Sequence, residues 1–271
     1  MNTVSDRHCT LVTAFYDLDK KKRTMANYNE WMPNFLPYLD SYVVIFTDEK
    51  SYQKMLDLRK NFFEKTKIIV LPITEWHTYK YIDHWQKDYG RDHQQQYHSV
   101  ELYMIWNEKS MFVKRAIEMN PFDSEFYCWS DIGMIRNSEY SRYIHKFPKV
   151  REDIDKNKIY LLNINAISEN GYIFNESDYK FEELATEKYR YINAIGGGVI
   201  FGHKNVFLKW VDKYYDMLDE FVKDDLFAGK DQSVMACVYV KNRDMINLIS
   251  PQLCPFNSIG DEWFYLVYFF S

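Results

Sequence analysis

The sequence predicts an α/β fold with a Rossmann-like, mostly parallel central sheet flanked by helices. Three short apolar runs, at residues 8–15, 41–46 and 67–72, have the length and spacing of buried strands. Segments with apolar residues at helical spacing lie between and after them. Because strands that alternate with helices usually form a parallel sheet, we expect ligands to bind at the carboxyl ends of the strands.

Three longer segments have the apolar spacing of amphipathic helices. They are residues 27–39, 50–65 and 99–119. Pro33 and Pro37 predict turns in the first of these segments rather than one continuous helix, because proline lacks the N–H that a helix interior needs. The opening half is therefore predicted as β-α-β-α-β, and a long helix follows it.

The second half continues the alternation. Residues 126–131 and 158–164 are predicted as further strands. After the glycine run 196–198 a strand is predicted to resume, and a helix opens at Asn205. Residues 168–190 are polar and rich in Tyr, which predicts a loop or a small insertion over the sheet.

Composition limits the size of the core and the class of partner. With 271 residues, 46% of them hydrophobic and 27% charged, the chain can bury the core of one large α/β domain or of two packed lobes. The formal net charge is −5 and the basic residues are scattered along the chain. Binding to a nucleic-acid backbone is therefore not expected.

The cysteines and the apolar runs bear on the compartment. The four cysteines are far apart and three of them lie in apolar runs, which predicts buried free thiols rather than disulfides or a zinc site. No window reaches the roughly 18 apolar residues of a membrane span. The first residues also lack the pattern of a signal peptide. We therefore expect a cytoplasmic protein without a membrane span.

Asp131 is the first candidate for a functional residue. It follows an apolar strand, so its carboxylate is expected at a strand end. Hard divalent cations prefer oxygen ligands and share them with substrate phosphates, where they neutralise a diphosphate leaving group. The alternative is an Asp that only caps the turn before Gly133.

The end of the first strand is a candidate binding surface. Four residues are predicted at the sheet edge close to Arg23, namely Thr13, Ala14, Phe15 and Tyr16. An aromatic ring beside a cation can hold a nucleobase and its phosphates, and the alternative is a strand end with a solvated basic loop. The chain contains neither GxGxxG nor a P-loop motif, so no dinucleotide fingerprint is predicted.

The glycine run 196–198 removes every side chain at one point, which lets a ligand approach the backbone closely. A bulge or a tight bend would explain the same run. His203, shortly after it, is either a metal ligand or a hydrogen-bonded structural histidine.

Lys230, Asp231 and Gln232 lie at the head of a predicted helix. The helix dipole favours Asp at this position in any protein, so capping is a sufficient explanation of Asp231 alone. In a cleft, the three would supply a cation for phosphate, a carboxylate that binds or deprotonates a hydroxyl, and an amide that recognises a sugar.

Together these motifs resemble the HtrL/YibB family of bacteria and large DNA viruses, within the nucleotide-sugar-dependent glycosyltransferases of the GT-A fold. The resemblance depends on VTAFYD, IFTD, LYMIWNEKSMFVKRAIEMNPFDSEFYCWSDIGMIR, GGGVIFG and GKDQSV, and it is most distinctive in the long middle piece. It implies one GT-A domain over residues 1–271, with a nucleotide-binding part at about 8–135 and an acceptor and sugar-pocket part at about 136–271. It also implies the cytoplasm of a bacterium or of an infected host cell.

The resemblance implies roles for the donor-binding candidates. Residues 13–16 would hold the base and ribose, and Arg23 or Lys109 would face the diphosphate. Gly197 and Gly198 would line the sugar pocket. Lys230 is expected to contribute a further cation to donor binding.

A metal site is implied with one departure from the family pattern. Asp131 would match the last Asp of the metal-binding DxD motif, but Trp129 stands where the first Asp is usual. A Mn²⁺ or Mg²⁺ ion would then be held by Asp131, the donor diphosphate and water. His203 or Asp261 could supply a further ligand.

The activity implied is transfer of a sugar, with a hexose expected, from a nucleoside-diphosphate donor to a hydroxyl in glycan synthesis. UDP is the favoured nucleotide, and the acceptor would be a glycan, a protein or a lipid-linked group. Asp231 and Gln232 would lie beside the donor sugar or the acceptor hydroxyl, which Asp231 would orient or deprotonate. Two alternatives stay open: a non-catalytic nucleotide-sugar-binding module and a sugar nucleotidyltransferase.

Overall fold

The computed structural model describes residues 8–18, 24–164, 195–251 and 262–271. At its centre is a seven-stranded sheet in the order β3-β2-β1-β4-β6-β5-β7. The strands are β1 Cys9–Phe15, β2 Tyr42–Thr47, β3 Thr66–Val70, β4 Phe126–Ser130, β5 Ile159–Asn163, β6 Ile195–His203 and β7 Ile246–Ile249. β6 pairs antiparallel with β4 and β5, whereas every other pairing in this sheet is parallel. The predicted α/β fold with a mostly parallel sheet is confirmed.

Helices cover both faces of the sheet. They are α1 Met25–Phe35, α2 Tyr52–Leu58, α3 Ile82–Arg91, α4 Val100–Met119, α5 Lys204–Lys223, α6 Asp231–Lys241 and α7 Tyr265–Phe269. Apolar residues of α1, α2 and α7 share one core cluster with one face of the sheet. Those of α3, α4, α5 and α6 share the second cluster with the opposite face. The inner strands β1, β4, β5 and β6 are thus buried between two helical layers.

The first strand shows why the apolar runs form the sheet. Leu11 belongs to one core cluster and Val12 to the other, and neither has any exposed surface. Successive side chains of a strand point to opposite faces, so a strand buried on both faces needs an unbroken apolar run. This explains why the runs in the sequence predict β1, β2 and β4.

Two details differ from the sequence prediction. The predicted turn at Pro33 is wrong, because α1 continues through this residue to Phe35. The N–H that Pro33 lacks would have bonded to the carbonyl of Asn29, an exposed residue that water can reach, so the loss costs less there than in a buried helix. Pro37 does lie in a separate 3₁₀ turn. β6 also begins earlier than predicted and includes the glycine run.

Buried polar bonds hold α4 against its neighbours. The side-chain amide of Asn107 donates to the carbonyl of Ala228, at 3.2 Å, and accepts from the hydroxyl of Tyr214, at 2.6 Å. The indole of Trp210, on α5, donates to the hydroxyl of Ser110 on α4. Buried and satisfied bonds of this kind specify one arrangement of the helices. They fix the middle of α4 relative to α5 and to the residues that precede α6.

The described residues contain the buried thiols that the sequence predicts. Cys9, Cys128 and Cys237 are buried free thiols. Among the helices that the structure describes, none has the length and apolar character needed to cross a bilayer. The predicted loop at residues 168–190 lies outside the described residues.

Candidate functional site

The candidate site lies where the order of the strands reverses. β2 and β3 lie on one side of β1, and β4 lies on the other side. In open α/β sheets, ligands bind outside the carboxyl ends of the strands at such a switch point. β1 ends at Phe15 and β4 ends at Ser130, so Asp131 is the first residue beyond β4 at this edge.

Asp131 is held on one side and partly exposed on the other. Its backbone N–H donates to the carbonyl of Gly198 at 2.9 Å, which extends the pairing of β4 with β6 by one bond. The indole N–H of Trp129 donates to Asp131 Oδ1 at 3.0 Å. Lys109 Nζ lies 3.4 Å from the same oxygen, and the Asp131 side chain keeps 38% of its surface exposed. Asp131 therefore presents a fixed carboxylate to solvent.

Behind Asp131 lies a buried ion pair. Lys109 extends from α4 and places Nζ 2.9 Å from Oδ2 of Asp231, the first residue of α6. The same ammonium donates to the carbonyl of Gly197 at 2.9 Å. The side chains of Lys109 and Asp231 are only 6% and 7% exposed. Lys109 thus joins α4, the start of β6, the end of β4 and the start of α6.

The charges of this cluster stabilise one another. Burial alone would lower the pKa of Lys109, but the carboxylates of Asp131 and Asp231 outweigh it and raise the pKa above its usual value. The Lys109 ammonium therefore stays charged. Burial raises the pKa of Asp231, and Lys109 opposes that rise. Such perturbed groups beside a strand end are a recognised mark of a functional site.

The reversed direction of β6 brings the glycine run to this edge. At Gly197 a Cβ atom would lie 2.5 Å from Asp231 Oδ2 and 3.3 Å from Lys109 Nζ, so no side chain fits beside the ion pair. At Gly198 the nearest atom to a Cβ would be Met134 Sδ, at 3.4 Å. Gly197 therefore provides the space that Asp231 occupies.

We predict that Gly197→Ala destabilises the fold far more than Gly198→Ala. The added methyl of Gly197→Ala must displace the Asp231 carboxylate, and overpacking of this kind costs about 1–3 kcal/mol. For Gly198→Ala the contact is near an ordinary van der Waals distance, so we expect a change below about 1 kcal/mol. Urea unfolding of both variants measures the difference, and equal losses would contradict the assigned packing.

The predicted base-binding residues lie at the switch point but are buried. Thr13, Ala14, Phe15 and Tyr16 each have less than a tenth of their surface exposed. The Tyr16 hydroxyl donates to the carbonyl of Leu71 at 3.0 Å, which directs the ring into the core. The structure therefore does not bring these side chains to the surface where a base could stack on them.

The remaining predicted residues fall into two groups. Lys230 and Gln232 flank Asp231, and Lys230 Nζ donates to the side-chain carbonyl of Gln94 at 2.9 Å.

His203 pairs with Phe126, the first residue of β4, so it lies at the opposite edge from Asp131. Its Nδ1 accepts the backbone N–H of Asn205 at 3.3 Å and caps α5. The structure does not bring His203 to Asp131. Arg23 and Asp261 lie outside the described residues.

Two aromatic residues of α1 border the site and were not singled out in the sequence. A Cβ atom on Gly133 would lie 3.0 Å from the ring of Trp31 and 3.1 Å from the ring of Tyr28. The Tyr28 ring centroid also lies 5.5 Å from that of Phe15, at the end of β1. Both rings are half-buried and span from β1 to the loop after β4. The sequence does not indicate that these rings border the site, because the spacing of aromatic residues in an amphipathic helix does not separate a core face from a binding face.

A cavity of about 1010 Å³ opens at the opposite edge of the sheet. Cys9 and Tyr42, the first residues of β1 and β2, line it. Two of its cations already pair within the cavity wall, Lys65 with Asp40 and Arg151 with Asp153. We therefore place the candidate site at the carboxyl edge.

Comparison with known proteins gives a family. A family model described as "Bacterial protein of unknown function (HtrL_YibB)" matches residues 7–271. "Protein HtrL" of Escherichia coli (strain K12) is 23% identical over 265 residues, which cover 88% of this chain and 86% of that protein. The crystal structure of mouse Xyloside xylosyltransferase 1 in its apo form aligns over 96% of this chain and 93% of its own, with a TM-score of 0.41 and 11% identity. The chain belongs to the HtrL/YibB family, as its motifs predicted.

Proposed function

We propose that this protein is a glycosyltransferase that transfers a sugar from a nucleoside-diphosphate donor, with UDP favoured, to a hydroxyl acceptor. One observation supports it above the others: the partly exposed Asp131 carboxylate lies at the switch point of the sheet, backed by the buried Lys109–Asp231 pair. Ligands of α/β sheets bind at this place, and groups with perturbed pKa are concentrated in active sites.

In this proposal the donor diphosphate lies next to Asp131 and the buried cation. Most of the barrier to transfer comes from departure of the diphosphate, so fixed charges near the leaving group contribute most of the catalysis. The Lys109 ammonium is held by acceptors at 2.9 Å, so it needs no rearrangement during the reaction. Lys230, one residue before Asp231, is the second cation proposed for donor binding, and its ammonium donates to the side chain of Gln94.

Asp231 is the residue proposed to act on the acceptor. A carboxylate within reach of a hydroxyl can orient it or accept its proton during transfer. Gly197 has no side chain, so its backbone lies directly against the Asp231 carboxylate. Gln232 follows Asp231 in the first turn of α6 and would recognise sugar hydroxyls through its amide. The acceptor class proposed is a hydroxyl of a glycan, of a protein or of a lipid-linked group.

The test uses the purified protein with a panel of UDP-, GDP-, CMP- and TDP-sugars. We expect hydrolysis of one donor, and a loss of at least about 100-fold in this rate for Asp131→Ala, because Asp131 holds one side of the Lys109 ammonium near the leaving group. Asp216→Ala, on the exposed face of α5, is the control and should keep the rate. Thermal stabilisation by a donor without turnover, unchanged in Asp131→Ala, would contradict the proposal and favour a sugar-binding module. No response to any donor would also contradict it.

A further inference from the structure

The position between the two carboxylates of the site is filled by an ammonium group. Lys109 Nζ lies 3.4 Å from Asp131 Oδ1 and 2.9 Å from Asp231 Oδ2. In a metal-dependent site, a divalent cation would occupy such a position between two carboxylates. We infer that Lys109 takes the place of a divalent metal ion, so that this site binds a nucleoside diphosphate without Mn²⁺ or Mg²⁺.

The oxygen atoms around this position do not suit a divalent ion. Asp131 Oδ1 already faces two N–H donors, the indole of Trp129 at 3.0 Å and the ammonium of Lys109. The residue that would be the first carboxylate of a DxD motif is thus a hydrogen-bond donor, which cannot ligate a metal. Within the described part of the chain, no group of three or more His, Cys, Asp or Glu side chains could hold a metal ion.

The charge of Lys109 also opposes a second cation. Like charges a few Å apart repel strongly where the surroundings are not water, and the Lys109 side chain is only 6% exposed. A divalent ion bridging Asp131 and Asp231 would have to displace this ammonium. The side chain has little freedom to move away, because its helix is held by the buried Asn107 and Trp210 bonds.

The ammonium has the properties that a substitute cation requires. A lysine ammonium has three N–H donors, and its three neighbours are Asp131, Asp231 and the carbonyl of Gly197. It is therefore fixed in place before any ligand arrives, and it would act on a diphosphate through its charge rather than through a hydrogen bond. Lys230 directly precedes Asp231 in the chain, so the formal charges of the two lysines and the two aspartates sum to zero. A diphosphate would then meet a site without net negative charge.

The part of this inference that concerns the diphosphate rests on the proposed function, whereas the absence of a protein metal site can be tested alone. Free Mn²⁺ gives an electron paramagnetic resonance signal that weakens when the ion binds. We expect wild-type protein to leave this signal unchanged. Lys109→Met should weaken it by freeing the two carboxylates, and Lys109→Met with Asp131→Asn should restore it. Loss of the signal with wild-type protein would overturn the inference.

The second arm measures UDP binding by calorimetry in EDTA and in Mn²⁺. Dissociation constants within about threefold of each other are expected. UDP binding only in Mn²⁺ would overturn the inference while leaving the proposed function intact. No UDP binding in either buffer would count against the proposed function, and the Mn²⁺ signal of the wild type would then decide the inference. Wild-type protein suffices for both arms even if Lys109→Met does not fold.

Discussion

Lys109→Met is expected to lower the free energy of unfolding by about 3–5 kcal/mol, because it leaves Asp231 buried without its cation. The Asp231 side chain is 7% exposed and accepts from Lys109 at 2.9 Å. The Gly197 carbonyl loses its 2.9 Å donor from Lys109 in the same variant. A methionine of similar length keeps most of the packing, so the loss reports mainly on the charge.

The size of this loss should depend on pH. Burial already raises the pKa of Asp231, and removing Lys109 removes the group that opposes the rise. A carboxyl whose pKa is higher in the folded than in the unfolded state stabilises the fold at low pH, and this contribution is lost as the pH rises through the folded pKa. The difference between Lys109→Met and wild type should therefore shrink as the pH is lowered from neutral.

A surface ion pair is the matched control. Lys213 pairs with Asp216 at 3.7 Å on α5, where both side chains are at least half exposed. Lys213→Met should change the free energy of unfolding by less than about 1 kcal/mol. Urea unfolding of both variants gives the comparison. Similar losses, or a loss for Lys109→Met that does not change with pH, would show that the buried charge is not the cause.

Asp231→Asn is expected to lower kcat for sugar transfer by about 10²–10⁴-fold, the usual contribution of a general base. Asn keeps the size of the side chain and an oxygen that can accept from Lys109, but it cannot take a proton. Because Asp231 is proposed to act on the acceptor, the dissociation constant of the donor should change little.

Steady-state kinetics combined with donor calorimetry separates these effects. Asp216→Asn removes an exposed carboxylate that lies 3.7 Å from Lys213 on α5, and it should leave kcat unchanged. Loss of donor affinity in Asp231→Asn, with kcat kept, would place Asp231 in donor binding instead. An unchanged kcat and an unchanged donor affinity would reduce its role to the buried ion pair with Lys109.

The sequence predicts the individual parts of the site better than their combination. Asp131 follows an apolar strand, so its place at a strand end follows from local pattern alone. Lys109 and Asp231 are separated by 122 positions in the chain. Their contact depends on the packing of α4 against α6 and on the reversal of β6, and neither leaves a local signal in the sequence.

Core packing explains why the residues predicted to bind the nucleotide base are buried in the structure. Phe15 and Tyr16 lie at the end of β1, as expected, but helices cover both faces of the sheet up to this edge. The Tyr16 ring packs against Trp76, with centroids 4.6 Å apart, and its hydroxyl finds a backbone acceptor. A sequence predicts that a strand ends at a given residue, but not how far the flanking layers extend beyond it.

Short or polar elements were also missed. β7 has four residues, Ile246–Ile249, of which only the first and last are buried. Such a strand has too few residues for a period to be recognised. It pairs with β5 at the edge of the sheet, where few apolar residues are needed. α3 is similarly hidden, because its segment IDHWQKDYGR is mostly polar.

The glycine run also affects how reliably the folded chain brings Gly197 to Asp231. Strands rich in glycine specify their alignment with neighbouring strands weakly, because they offer no side chains to distinguish one alignment from the next. The alignment of β6 must therefore be set by its second half, where Ile200 and Phe201 are fully buried in opposite cores. A misfolded form shifted by one residue would keep a sheet but move Gly197 away from Asp231. The proposed activity would thus measure the fraction of molecules in which β6 is correctly aligned, and Ile200 and Phe201, rather than the site residues, would set that fraction.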